Sequence, residues 1–334
     1  MARYAAIDIG SNSIRMEVAD KEPGSPMVIV ASEREVTRLG ESVFRTGKIS
    51  REAVDLTCQV LARMASQYKK LDVAGVRAVA TSAVRDARNQ AEFIERASQS
   101  AGAAVDVISG REEARLIHLG VQSRWPQPNR RVLVVDIGGG SVEIVAGEDG
   151  RIEDAVSKPL GAVRLRELFL ASDPPSELEL RRMQEYIEEK LDGVAGRFGT
   201  ARWDRAIVTS ATASAVACAI GGVPRPKRDR VDRVRMSAAQ IRQFYRRLSP
   251  LDLARRRRVT GIGPRRAEII VPGVCVLVRI VGVFGLGSLY YSAAGVRDGI
   301  VADLAARGVG RERAQLSPEQ RKEVERISLR YGVP

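Results

Sequence analysis

The chain has 334 residues, 44% of them apolar and 28% charged, with a formal net charge of +13, which gives room for about two ordinary domains around a large core. Its three cysteines, Cys58, Cys218 and Cys275, form no CxxC spacing, which argues against a disulfide framework or a zinc site and fits a reducing cytosol. The opening MARYAAIDIG meets an acidic residue too early for a secretory signal.

From the N-terminus, AIDIGSNSIRMEV predicts a β-hairpin: strand Tyr4–Ile9, turn Gly10–Ser13, strand Ile14–Ala19. Ser50 then caps a helix whose apolar stripe is Ala53, Leu56, Val60, Met64 and Tyr68. A strand VRAVAT, a helix around Ala91–Ala97 and a strand AVDVIS follow, and REEARLIHLGVQSR reads as a helix ended by WPQPN. There the hairpin returns as VVDIGGGSVEIVA, with Asp136 standing 128 residues after Asp8. That repeat is too long for a solenoid array and implies a duplicated α/β unit. Later helices, a strand RAIVTS and a basic segment complete the second copy. The run IIVPGVCVLVRIVGVFGLG from Ile269, broken by Pro272 and Arg279, reads as a buried helix followed by a strand rather than a membrane span.

The repeated turn has a chemical meaning. Glycines after a strand-end Asp let backbone N–H groups approach a ligand without side chains in the way, and Ser or Asn adds donors. Such a turn can cradle phosphate, and Asp8 and Asp136 at the strand ends can hold a metal directly or through water. Two facing turns would grip a phosphate chain from both sides. Two ordinary tight hairpins are the plain alternative, weakened by the matching Asp in each copy.

Competing chemistries fail on the residues. No GxxxxGK[ST] occurs, since Gly47-Lys48 is followed by Ile49, and no GxGxxG follows either first strand. A Ser–His–Asp hydrolase would rest on the single histidine, His118, which as a lone helical residue reads as packing.

In VISGREEARLI, Ser109 and Glu112 fit a capping box in which Glu112 reaches back to the cap. Glu113, about 100° further around the helix, has no local partner implied and is a candidate general base; the helix dipole alone would also favour a carboxylate there. Pro224 to Arg266 carries 15 Lys and Arg against 3 Asp, nearly the whole charge excess. That points to a polyanionic partner or to a solvated helical face. Arg255, Arg256, Arg257 and Arg258, with Arg225, Lys227 and Arg228, are the candidates for a polyphosphate track.

The chain resembles the exopolyphosphatase / guanosine pentaphosphate phosphohydrolase family, within the actin-like, sugar-kinase-like ATPase superfamily. The resemblance rests on DIGSNSIRMEV, REVTRLGE, ATSAVRDARN, VISGREEARLIHLGV, DIGGGSVEIV, PLGAVRLRELF, RRAEIIVPG and GVRDGI, in family order from end to end. It implies an α/β fold of two ribonuclease-H-like domains with the active site in the cleft between them. The expected units are 1–125 and 126–300, with 301–334 as a helical tail packing back on the first. By resemblance Glu113 is the catalytic glutamate, and Asp136 and Glu143 lie near metal and water. Gly10, Ser11, Asn12 and Ser13, with Gly138, Gly139, Gly140 and Ser141, are the phosphate loops, and Arg85 and Arg38 face phosphate. Two departures stand out. Ala211 in VTSATASA replaces a usual Gly, which weakens the expectation of close nucleotide contact there, and Ala293 replaces a common acidic residue before GVRDG.

The expectation is a cytoplasmic, homodimeric, Mg²⁺-dependent hydrolase of inorganic polyphosphate, with no membrane partner. Guanosine pentaphosphate is the nearest alternative substrate. A sugar or acetate kinase-like ATPase and a nucleic-acid-binding protein are more remote, the last disfavoured by 4% aromatic content.

Overall fold

A computed structural model describes residues 1–199 and 202–307. The first unit contains β1 (Ala2–Ile9), β2 (Ile14–Lys21), β3 (Val28–Glu35), α1 (Leu39–Thr46), α2 (Arg51–Lys69), β4 (Gly75–Ala80), α3 (Ser82–Asp86), α4 (Gln90–Ala101), β5 (Val105–Val107) and α5 (Gly110–Arg124). The second contains β6 (Arg131–Ile137), β7 (Val142–Glu148), β8 (Arg151–Lys158), α6 (Ala162–Phe169), α7 (Glu177–Leu191), α8 (Val194–Arg197), β9 (Arg205–Thr209) and α9 (Ser210–Ile220). After a 3₁₀ segment at Arg225–Val231 come β10 (Arg235–Ser237), α10 (Ala238–Leu248), α11 (Leu253–Arg257), α12 (Pro264–Ala267), α13 (Ile270–Val283), β11 (Ser288–Tyr291) and α14 (Val296–Arg307).

The sheets repeat one plan. The first runs β3-β2-β1-β4-β5 and the second β8-β7-β6-β9-β11, with β10 added at its edge. In each, a three-strand antiparallel meander precedes a parallel strand beside the first. The duplicated unit therefore has a third meander strand, β3 or β8, that the hairpin motif alone did not announce.

Alternation along these strands separates two faces. In β1, Ala5, Ile7 and Ile9 enter an outer core that includes residues of α2 and α4, while Tyr4 and Ala6 enter a core shared by both units. In β6, Leu133, Val135 and Ile137 face outward and Val132 and Val134 inward. The shared core is filled by α5 and α14, which pack together, α5 also touching β7 and β8 and α14 touching β1 and β2. The helix pair lies between the two sheets. A Cβ at Gly120 would stand 2.2 Å from the Gly295 carbonyl oxygen, and one at Gly299 would stand 1.9 Å from that of Leu116. Only glycine permits this crossing.

Several local expectations shift. The stripe on α2 is rotated: Leu56 is exposed, and Val54, Thr57, Leu61 and Ala65 join Val60, Met64 and Tyr68 inside. The apolar run from Ile269 forms the buried α13 followed by β11, and among the described residues no helix is long and apolar enough to cross a membrane. The expected break at 125 falls where α5 ends, whereas that at 300 falls inside α14. The rest of the expected tail, 308–334, lies outside the described residues.

Candidate active site

The inward faces place the chemistry. Counting by twos from the shared-core residues, Asp8, Arg15 and Glu17 fall on the inner face of the first sheet, and Asp136 and Glu143 on that of the second. Asp8, Arg15, Glu17 and Asp136, with both turns and Glu113, line a cleft of about 790 Å³, whereas Glu143, opposite Asp136 on the ladder, is buried and not part of that lining. The turns share one closure: Gly10 N–H donates to the Ser13 carbonyl at 3.2 Å, and Gly138 N–H to that of Ser141 at 3.0 Å. They abut each other. A Cβ at Gly140 would lie 2.6 Å from Ser11 Oγ and 2.5 Å from Ser82 Oγ, and one at Gly139 3.1 Å from Ser11 Cβ. Ser11 Oγ is buried with no protein partner among the described residues.

Glu112 and Glu113 divide as their environments dictate. Ser109 Oγ accepts the Glu112 N–H at 3.2 Å, so the cap is present. Glu112 does not reach back to complete the box. Its carboxylate is taken by Arg77 at 3.1 Å and Arg115 at 2.7 Å, both of which also bind Asp303 of α14. Glu113 is buried at the cleft wall, and Arg85 donates to it at 3.4 Å and to the Ile108 carbonyl at 2.7 Å. Burial and then the Glu143 charge push the Glu113 carboxyl well above its usual range, against the pull of Arg85. Arg85 therefore touches the candidate base itself.

The two hairpins differ at the ladder position of the strand-end Asp. Asp8 is opposite Arg15 in the first, and Asp136 is opposite Glu143 in the second. Like charges directly opposite are destabilising. Burial pushes both Asp136 and Glu143 up to about 7; Arg15 opposes the rise in Asp136, while Asp136 adds to that in Glu143. Ser157 donates to Glu143 Oε1 at 2.7 Å, whereas Asp136 Oδ1 is buried without a hydrogen-bond partner among the described residues. Hard oxygen donors, an unpaired carboxylate oxygen and excess negative charge fit a divalent cation. Among the described residues no three acidic, His or Cys groups form a cage for one. One or two carboxylates completed by water and substrate oxygens is the usual Mg²⁺ arrangement.

Other expected residues are elsewhere. Arg38 does not line the cleft; it pairs with Glu41 at 3.0 Å and Glu268 at 2.9 Å, tying α1 to the second unit. Nor does the Arg255–Arg258 run line it. Arg256 is buried against Asp173, Arg257 pairs with Glu268, and Arg255 lies near Asp252, because the run forms a short helix anchored on its inner side. Lys227 also lies off the cleft wall, whereas Arg225 and Arg228 are on it. Arg34, Arg265 and Arg266, which the sequence did not single out, join them there, as do Arg15, Arg124 and Arg297. Burial lowers the Arg34 guanidinium to about 10 and that of Arg266 to about 9, with neighbouring arginines adding to both shifts. The only signal for them was their place in REVTRLGE and RRAEIIVPG. Ala211 and Ala293 both line the cleft, and Ser210 beside Ala211 has φ 97°, a conformation rare outside glycine. His118 is buried, its Nε2 has no partner among the described residues, and burial lowers it to about 4. It is a packing residue.

Comparison with known proteins gives a consistent assignment. The model of the Ppx/GppA phosphatase family matches residues 17–307. Exopolyphosphatase 1 of Mycobacterium tuberculosis is 29% identical over 300 residues, covering 90% of this chain and 87% of the relative; that of Mycobacterium leprae is 28% identical, covering 97% and 96%. The Aquifex aeolicus PPX-GPPA enzyme structure superposes with a TM-score of 0.76 at 31% identity, covering 91% of this chain and 99% of that one. An exopolyphosphatase structure from Cytophaga hutchinsonii gives a TM-score of 0.83 at 26% identity, covering 91% and 98%.

Proposed function

The chain belongs to the Ppx/GppA phosphatase family, and from that membership we propose that it is an exopolyphosphatase, a phosphoanhydride hydrolase removing terminal phosphate from inorganic polyphosphate. The observation that supports polyphosphate most is the arginine cluster. A terminal phosphoryl group needs the two turns and Glu113, but Arg34, Arg225, Arg228, Arg265 and Arg266 line the same cleft. Of these, Arg265 meets Glu35 at 3.3 Å, while Arg34, Arg225 and Arg228 pair with no carboxylate of the described residues. A linear anion of many phosphates gives each of them a partner.

The terminal phosphoryl group lies against the glycine turns, where backbone N–H groups and the Ser11 hydroxyl receive its oxygens. Glu113, held by Arg85, takes a proton from the attacking water, whose oxygen bonds to phosphorus as the bridging P–O bond breaks. The shortened chain is the leaving group, as an anion, and orthophosphate is the second product. Phosphoryl transfer depends on positioning and charge neutralisation more than on covalent catalysis, so no Cys or His nucleophile is required. Asp136 and Glu143, with Asp8 nearby, would hold Mg²⁺, which when bound supplies charge neutralisation at the phosphoryl oxygens. The same reading takes the enzyme as cytoplasmic and homodimeric; three cysteines without a CxxC spacing support the former. Guanosine pentaphosphate is the second substrate the site chemistry accommodates.

Charge-reducing substitutions test the substrate. In Arg225→Gln and Arg228→Gln, the Michaelis constant for long chains should rise. Its logarithmic dependence on salt should flatten by about 0.7 per lost phosphate contact, by analogy with single-stranded nucleic acid. Hydrolysis of guanosine pentaphosphate should change less. Equal losses on both substrates would refute a track specific to long chains.

A further inference from the structure

Hydrolysis at the end of a long chain creates a release problem. Orthophosphate forms beside Glu113 while the shortened chain still occupies the arginine-lined part of the cleft. A second hollow of about 260 Å³ adjoins this point. Its lining includes Ser82, Arg85, Ser141, Ser157, Lys158 and Arg164, and of these Ser82 and Ser141 also line the main cleft.

The partition between the two spaces is thin and polar. Two side chains of the hollow hold acidic residues of the site: Arg85 donates to Glu113 on the cleft wall at 3.4 Å, and Ser157 donates to the buried Glu143 at 2.7 Å. Ser82 is the hydroxyl between them and Arg164, which donates to Ser82 Oγ at 3.1 Å and to the Gly140 carbonyl at 2.8 Å. Arg164 is otherwise engaged by Asp86, whereas Lys158 pairs with no carboxylate of the described residues. The hollow thus offers hydroxyls and an uncommitted cation beside the reaction centre, with the Asp86 carboxylate held by Arg164 and room for a small anion.

We propose that this hollow is a rear exit for orthophosphate, letting the product leave past Ser82 and Ser141 toward Lys158 while the chain stays in the cleft. The proposal rests on the exopolyphosphatase reading. It explains why cationic side chains line a space the substrate does not fill, and it would let successive phosphates be removed without the chain dissociating.

Lys158→Glu and Lys158→Met test it, because Lys158 touches neither Glu113 nor the glycine turns. Acid-quenched single turnovers measure phosphate formed; steady-state assays on the same long chain measure phosphate released. In Lys158→Glu the first turnover should keep its rate while steady-state turnover falls about tenfold, as when release limits the rate. A burst of one phosphate per site should appear, and Lys158→Met should show the same change more weakly. Steady-state turnover unchanged in both variants, or falling in step with the first turnover, overturns the exit. If the unaltered enzyme releases no phosphate from polyphosphate, the exopolyphosphatase reading fails and the exit with it.

Discussion

Glu112 and Glu113 are neighbours in sequence with opposite surroundings. Glu112 is saturated by two arginines and holds β4, α5 and α14 together, so Glu112→Gln should lower stability, read by denaturant unfolding, while turnover in the folded fraction survives. Glu113 faces the cleft with a raised carboxyl. Glu113→Gln should cut turnover about 10²–10⁴-fold with little change in substrate affinity, the loss expected for a general base. Stopped-assay kinetics on both variants check the division; an inactive Glu112→Gln beside a working Glu113→Gln would reverse it. His118 offers a pH test. Its pKa is about 6.5 unfolded and about 4 folded, so the unfolded chain takes up a proton that the folded chain refuses. Its contribution is full above pH 6.5 and is lost as pH falls toward 4, by about 3 kcal/mol at most. His118→Leu should remove that part of the acid sensitivity, measured as the difference in unfolding free energy between pH 7 and pH 4.5. Identical pH slopes in the two proteins would contradict it.

The hairpins were the most legible elements. Their first strands are apolar on both faces, so the sequence located Asp8 and Asp136 at the strand ends, while their inward position follows from the shared core that Ala6 and Val134 enter. What the pattern withheld was the pairing: that Arg15 opposes Asp8 while Glu143 opposes Asp136 depends on turn length and register. Helix α11 shows the reverse case. Four consecutive arginines look like one open charge patch, yet helical geometry turns Arg256 inward onto Asp173. Arg38 lies off the cleft lining and pairs with Glu41 and Glu268, and its pairing with the distant Glu268 is invisible in a linear reading. The crossing of α5 and α14 is also a matter of two distant glycines. Gly120→Ala or Gly299→Ala should destabilise by about 1–3 kcal/mol or more, the cost of overpacking without room to relax. Unfolding curves of either variant superimposable on the parent would show that the helices cross further apart.

Two sheets facing one helix pair give the molecule a cleft whose walls come from separate copies of the same unit, lined by both acidic residues and arginines. Duplication explains the paired glycine turns; divergence between the copies explains why only one of them carries the Asp–Glu ladder pair. Overall charge was readable from composition, but its useful part was not: the arginines at the cleft come from β2, β3, α5, the 3₁₀ segment, α12 and α14, far apart in sequence. Removing divalent cations with excess chelator should abolish turnover, and Asp136→Asn should raise the Mg²⁺ concentration for half-maximal rate, as expected when one carboxylate ligand is lost. The decisive measurement is orthophosphate release by the full chain with Mg²⁺, supplied separately with long-chain polyphosphate, guanosine pentaphosphate and ATP. Sustained release from polyphosphate, lost in Glu113→Gln, is the predicted result. No release from polyphosphate while guanosine pentaphosphate or ATP is hydrolysed would contradict the proposed activity.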